Sequence, residues 1–138
     1  MQNRTPAQLY ALVVGAVLTA VGIIGFFYSA AFGTPGTVAP VLGLLDVNGW
    51  HNVVHLATGA LGLAMMGSVA SARTYALGLG VVYLVVAVWG FVIGSGEAIL
   101  TIVPVNTPDN FLHLALGILG VGAGSASGER TAAPPAGA

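Results

Sequence analysis

Long apolar runs, separated by short segments rich in polar residues, glycine or proline, dominate the chain. Four such runs lie at about residues 8–28, 50–70, 74–94 and 108–125. Each is close to the roughly 20 residues that an α-helix needs to cross the roughly 30 Å hydrocarbon layer of a bilayer. The pattern predicts an all-α protein, a bundle of four transmembrane helices that forms a single domain over residues 1–125.

The segments between the apolar runs are typical of loops. "GTPGTVAP" at residues 33–40 contains two prolines and two glycines, which disfavour helix. "GSGEAILTIVPVNTP" at residues 94–108 predicts a second loop on the same side, and a tight turn is expected around Arg73. Residues 126–138 contain too few large apolar side chains to pack, so we expect a disordered C-terminal tail.

Composition supports a membrane protein and excludes several other classes. Only 5% of the residues are charged and the mean hydropathy is +0.95, whereas a soluble domain carries roughly 25% charged residues. The net charge is -1 and there is no lysine, so nothing indicates a nucleic-acid partner. The absence of cysteine excludes disulfides, thiolate metal sites and covalently attached haem.

The few basic residues predict the orientation of the chain in the membrane. Arg4, Arg73 and Arg130 all fall on one side of the four-span arrangement, and the positive-inside rule makes that side cytoplasmic. Both termini are then cytoplasmic, and the protein is a multi-pass protein of the cytoplasmic (inner) membrane. Tyr10 and Tyr75, near the inner surface, fit an interfacial aromatic belt.

Two segments of the chain are near copies of two others. "VNGWHNVVHLATGALGL" at residues 47–63 matches "VNTPDNFLHLALGILGV" at residues 105–121 with an offset of 58. "YALVVG" at residues 10–15 matches "YALGLG" at residues 75–80 with an offset of 65. The matches predict two tandem helical hairpins.

These two repeats cover about residues 8–70 and 74–125. They run through the membrane in the same sense, so an axis along the membrane normal relates them. His55 and His113 are therefore expected at one depth, on opposite sides of that axis.

The repeated polar residues have a structural interpretation. A glycine pair follows each histidine on the same helix face, and small residues let membrane helices approach closely. His55 and His113 would form hydrogen bonds across the contact, to Asn52 and Asn110 of the opposite unit, because unpaired imidazoles are costly in hydrocarbon. The predicted packing glycines are Gly59, Gly62, Gly117 and Gly120.

The same residues also allow a metal site. His51 and His55 are spaced i,i+4, and so are their counterparts Asp109 and His113. If the two helix starts face each other, three imidazoles and one carboxylate converge near the outer surface, a set suited to zinc or copper.

Two further alternatives use the histidines. In the first, His55 and His113 are axial ligands of a b-type haem, with Gly59 and Gly117 making room for the porphyrin. In the second, they belong to a transport or proton pathway. No acidic or basic residue lies deeper in the apolar runs to continue such a pathway.

The chain resembles a known family in three stretches. "RTPAQLYALVVGAVL", "VNGWHNVVHLATGALGL" and "VNTPDNFLHLALGILGV" are similar to the DUF4383 family of small bacterial membrane proteins, and the similarity extends to about residue 125. The resemblance implies the four-span fold and a bacterial cytoplasmic membrane. It implies no activity, ligand or catalytic residue.

Because no catalytic constellation is visible, we expect a protein that is not an enzyme. The expected function is that of a small structural or accessory membrane protein in the lipid bilayer, packing against other membrane proteins or associating with itself. The alternative is a His-based metal-binding or b-haem-binding membrane protein that uses His55 and His113 near the outer face.

Overall fold

A computed structural model describes residues 4–35 and 38–128 of the chain. In this part of the chain four helices form a bundle, and a short antiparallel β-hairpin links the helices of each pair. The helices are α1 (Pro6–Tyr28), α2 (Gly49–Met65), α3 (Val69–Ile93) and α4 (Thr107–Ala126). The strands are β1 (Ala39–Val41) and β2 (Leu45–Val47) between α1 and α2, and β3 (Ala98–Ile99) and β4 (Val103–Pro104) between α3 and α4.

Side-chain caps start each helix. Asn48 accepts a hydrogen bond from the His51 N–H at 2.9 Å, and Asn106 accepts one from the Asp109 N–H at 3.0 Å. Ser68 accepts from the Ser71 N–H at 3.1 Å and starts α3 five residues earlier than the sequence predicts. Arg73 therefore lies in the first turns of α3, and the prediction of a tight turn around this residue was wrong. The chain turns between Met65 and Val69 instead.

Glycines bring the helices of each pair into backbone contact. A Cβ added at Gly15 of α1 would lie 2.9 Å from the Leu63 nitrogen of α2. A Cβ added at Gly80 of α3 would lie 2.7 Å from the Val121 nitrogen of α4. Only glycine fits at such distances, so α1 packs on α2 and α3 packs on α4 as two tight helical pairs.

The interior of the bundle is rich in small residues and tyrosines, with Val14, Leu18 and Leu79 among them, whereas most large aliphatic side chains lie on its outer surface. Ala7, Ala11, Ala72 and Ala76 are fully buried at the contact between the two helical pairs. All four helices carry exposed large hydrophobic residues, among them Val13, Val17, Val53, Leu61, Val81, Val85, Leu112 and Ile118. Two of the helices, α1 and α3, are long and apolar enough to cross a membrane.

Both β-hairpins turn in the same way. In each, three residues separate the last paired residues, Val41 with Leu45 and Ile99 with Val103. Leu42 and Gly43, like Leu100 and Thr101, have positive φ at these turns. The sequence predicted only loops in these two regions. Leucine and threonine are not residues that normally indicate a tight hairpin turn.

The two hairpins cover one end of the bundle, where α2 and α4 begin, and we call this the hairpin end. At the opposite end, Ser127 Oγ accepts the Ala7 N–H at 2.8 Å, and Arg73 Nε donates to the Gly124 carbonyl at 3.1 Å. Residues predicted to belong to the tail thus extend α4 and bind α1. Arg130 and the rest of the predicted tail, from residue 129, lie outside the described residues.

Candidate functional site

Three histidines lie together inside the hairpin end. His51 is in the first turn of α2, His55 follows one turn later, and His113 occupies the matching position of α4. Their exposed fractions are only 1%, 8% and 6%. The capped helix starts place all three rings in the interior, beneath the hairpins.

The three imidazoles are close enough to share a ligand. One ring nitrogen of each lies within 4.8 Å of a ring nitrogen of the other two. The ring centroids of His51 and His55 are 4.4 Å apart, and those of His51 and His113 are 6.2 Å apart. The structure therefore brings together three of the four side chains that the sequence proposed as metal ligands.

The fourth candidate, Asp109, has other contacts. Its Oδ2 accepts the N–H of Asp46 at 3.0 Å and the N–H of Asn106 at 3.1 Å. These bonds cap the start of α4 and connect it to strand β2. Asp109 is not part of the three-histidine group, although it is buried beside it.

The main chain of Asp46 orients His51. The Nδ1 atom of His51 lies 2.8 Å from the Asp46 carbonyl oxygen. Since a carbonyl only accepts, Nδ1 carries the proton, and a neutral His51 then has its lone pair on Nε2.

The other two histidines have unpartnered nitrogens. Within the described part of the chain, the Nδ1 atoms of His55 and His113 are buried and form no hydrogen bond. The sequence led us to expect Asn52 and Asn110 as their partners across the bundle, and this expectation was wrong. Both asparagine side chains instead lie against glycines of their own helical pair.

Each asparagine faces a glycine of its own helical pair. Asn52 donates from Nδ2 to the Ser29 carbonyl at 2.8 Å, and its Oδ1 lies against Gly25. Asn110 Oδ1 lies against Gly90 in the same way. In both places an added Cβ would overlap the amide oxygen, so the asparagines hold the ends of α1 and α3 against α2 and α4.

Neighbouring helices fill the space beside the glycines that recur in both repeats. A Cβ on Gly59 would lie 2.5 Å from Thr19, and a Cβ on Gly117 would lie 2.8 Å from the Leu84 side chain. Neither glycine opens onto a slot for a porphyrin, which the haem hypothesis requires. Gly62 and Gly120 are similarly close, to Tyr75 and to Ala76 and Tyr10.

Three buried tyrosines extend from the histidines along the bundle. The Tyr83 ring stacks on His113, with centroids 5.2 Å apart and an interplanar angle of 17°. Tyr10 donates to the Leu116 carbonyl at 2.9 Å, and Tyr75 donates to the Thr58 carbonyl at 3.1 Å. Tyr10 and Tyr75 are therefore interior cross-links between the helical pairs, and their assignment to an aromatic belt was wrong.

Two asparagine side chains connect the hairpins above the histidines. Asn48 Nδ2 donates to the Ile102 carbonyl at 2.7 Å and also to the Pro35 carbonyl. Asn106 Nδ2 donates to the Leu44 carbonyl at 2.8 Å. Each cap residue thus bonds to the turn of the other hairpin, which closes the hairpin end over the imidazoles.

Comparison with known proteins identifies a family and nothing more specific. The model of a family described as a domain of unknown function, DUF4383, matches residues 8–126. Neither a curated protein nor a solved structure matches the chain.

Proposed function

The chain belongs to the DUF4383 family, and we propose that it is a four-span integral membrane protein of structural or accessory type. The observation that carries this proposal is the inverted distribution of side chains. All three histidines, three of the asparagines and Asp109 are buried, while large apolar side chains are exposed on every helix. Such a surface is unfavourable in water and matches the hydrocarbon layer of a bilayer.

The two shorter helices fit the same environment. The 17 residues of α2 and the 20 residues of α4 rise about 1.5 Å each and so cover most of a roughly 30 Å hydrocarbon layer. Their outward residues are apolar, including Val53, Val54, Phe111 and Leu112. We therefore propose that α2 and α4 cross the membrane beside α1 and α3.

Equivalent contacts support the proposal of two tandem repeats. Tyr10 bonds to Leu116 and Tyr75 bonds to Thr58, and the tyrosines are 65 residues apart while the carbonyls are 58 apart. These are the offsets of the matched sequence segments. A parallel duplication accounts for both offsets at once.

The position of the arginines supports the proposed orientation. Arg4 and Arg73 both lie at the end opposite the hairpins, near Met66 and Gly124. Under the positive-inside rule this end is cytoplasmic and the hairpin end faces outward. We propose a multi-pass protein of the bacterial cytoplasmic membrane with both termini inside.

An exposed strip of small residues on α2 supports the accessory role. Ala57, Ala60 and Ala64 are all exposed and recur at helical spacing. Small side chains permit close approach of another membrane helix, from a second copy or from a different protein. The interior glycines Gly59 and Gly62 are buried against other helices, whereas these alanines are exposed.

Single-cysteine variants test the topology, since the chain contains no cysteine. Ser95→Cys lies at the hairpin end and Ser125→Cys at the opposite end, and both positions are exposed. A membrane-impermeant maleimide applied to intact spheroplasts should label the Ser95 variant, and should label the Ser125 variant only after permeabilisation. Labelling of both before permeabilisation would contradict the proposed spans.

Association is tested separately on protein in lipid nanodiscs. Native mass spectrometry should show a defined complex for the wild type, and Ala60→Ile should weaken it by filling the strip. Gly78→Val, which also adds three carbon atoms, on α3 where nothing lies within 4 Å, is the matched control. The accessory role would be contradicted if the wild-type protein were monomeric both in nanodiscs and in detergent extracts of its own membrane.

A further inference from the structure

We propose that His51, His55 and His113 bind one transition-metal ion of the zinc class inside the hairpin end. This inference goes beyond the structural role proposed above and does not depend on it. The three ring nitrogens lie within 4.8 Å of one another. Tetrahedral zinc with nitrogen ligands at about 2.0–2.1 Å places neighbouring ligand atoms roughly 3.4 Å apart, so a small rotation of the rings suffices.

The unpartnered nitrogens provide an independent observation. His55 and His113 are more than nine-tenths buried, and the Nδ1 atom of each has no hydrogen-bond partner among the described residues. Buried polar atoms without partners are rare, and a bound ion is one of the standard explanations. Asn52 Oδ1, Asn110 Oδ1 and the Tyr83 hydroxyl are also buried without a partner among the described residues. The two imidazole nitrogens differ from these atoms because their rings lie beside a third imidazole, at a separation suited to a shared ion.

The hydrogen bond of His51 prepares it as a ligand. Imidazoles that bind metals usually donate the other ring N–H to a carbonyl or a carboxylate. His51 does so, from Nδ1 to the Asp46 carbonyl, and the main chain of Pro104 also lies within hydrogen-bonding reach of the ring. The lone pair of the neutral imidazole is then on Nε2. The Asp46 N–H is in turn bonded to the Asp109 carboxylate. Asp109 is therefore a positioning residue that acts on His51 through the main chain of Asp46.

The charges of the region also favour a cation. Asp109 is a buried acidic side chain that bonds to the Asp46 N–H, and in its ionised form it would reduce the cost of placing a positive ion in an apolar interior. The two described arginines, Arg4 and Arg73, lie at the opposite end of the bundle. No cationic side chain of the described residues competes with a metal ion at the hairpin end.

The donor set selects the class of ion. Imidazole suits zinc, copper, iron and nickel, whereas magnesium and calcium require oxygen ligands. Three protein ligands leave a fourth position of a tetrahedral ion open for water or a small anion. The chain lacks thiolates, so the imidazoles are the donors at this end that best suit these ions.

The experiment uses full-length protein purified in mild detergent with an affinity tag that contains no histidine. After loading with Zn²⁺ and desalting, elemental analysis should find about one zinc per chain. Titration with Co²⁺ should produce the intense visible absorption bands of a four-coordinate ion, and added Zn²⁺ should abolish them. A folded wild-type protein that shows neither zinc nor these bands would overturn the proposal.

Variants separate ligation from folding. His55→Gln and His113→Gln keep polar groups of similar size and should lose the Co²⁺ bands. Tyr83→Phe, which alters a neighbour that stacks on His113 but removes only a hydroxyl, should keep them. Asp109→Asn should weaken Co²⁺ binding by about 10–100-fold, because residues that hold a metal-binding histidine in place usually contribute affinity of this size. Bands that persist in the His55→Gln/His113→Gln double variant would contradict the assignment.

Discussion

The side-chain oxygen of Asn52 lies directly against the Cα atom of Gly25, so α1 can end at this point of α2 only because residue 25 has no side chain. The amide nitrogen of Asn52 is bonded to the Ser29 carbonyl, which fixes the amide from its other side. Asn110 and Gly90 form the same pair between α4 and α3. Neither amide oxygen has a hydrogen-bond donor among the described residues.

Gly25→Ala should destabilise the protein because the added methyl group overlaps the Asn52 amide and forces it to move. We expect a loss of about 1–3 kcal/mol in unfolding free energy, typical of overpacking in a dense interior. The measurement is unfolding by denaturing detergent followed by circular dichroism. Gly78→Ala is the control, because nothing lies within 4 Å there, and it should be neutral or stabilising by up to about 1 kcal/mol. Equal effects of the two substitutions would contradict the packing described.

Tyr75→Phe should remove the hydrogen bond to the Thr58 carbonyl while keeping the ring in place. The expected loss is about 0.5–1.5 kcal/mol, since the carbonyl retains its helical donor and only the cross-link disappears. Tyr10→Phe should have a similar effect through Leu116. Tyr28→Phe, at an exposed position, should leave the thermal midpoint unchanged. If Tyr28→Phe costs as much as the other two, the cross-links contribute nothing specific.

Substitutions of Asn48 separate its role as a helix cap from its bond to the other hairpin. Asn48→Ser keeps an oxygen that can accept the His51 N–H but loses the donor to Ile102. Asn48→Ala loses both and should cost about 1 kcal/mol more than the serine variant, the usual value of a cap. Hydrogen exchange should show faster exchange in the β3–β4 hairpin for both variants. Unchanged exchange there in Asn48→Ser would show that the bond does not hold the hairpins together.

Val81→Arg tests whether the outer surface of α3 faces lipid. Val81 is exposed and lies at the middle of α3, where an arginine costs about 2.5–3.5 kcal/mol of membrane insertion. The fraction of protein recovered in carbonate-washed membranes should fall. Ser125→Arg, at the end of α4, should be tolerated because its charge reaches the membrane surface. A Val81→Arg protein that remains fully inserted would contradict the lipid-facing assignment.

The sequence predicted the number and approximate positions of the helices because their apolar runs are long and the breakers between them are strong. Helix ends were less accurate, as at Ser68, since whether a serine caps a helix or lies within one depends on the local backbone. The β-hairpins were missed because their turns contain Leu100 and Thr101, which rarely adopt positive φ. Only the surrounding contacts over the bundle end stabilise those turns.

The candidate site was predicted in part. The i,i+4 spacing of His51 and His55 places both on one face of any helix, and this follows from the helical period alone. That His113 reaches them, while Asp109 instead binds the Asp46 N–H, depends on how two helix starts meet in space. No spacing along the chain contains that information.

The sequence by itself determined which segments are helical and apolar and which polar side chains recur in them, since these properties depend on neighbours a few residues apart. The tertiary structure decided the partners of those side chains. Asn52 turns to Gly25 and Ser29, which leaves His55 without the hydrogen bond expected for it. Such choices depend on contacts between residues distant in the chain, where a difference of an ångström selects one partner over another.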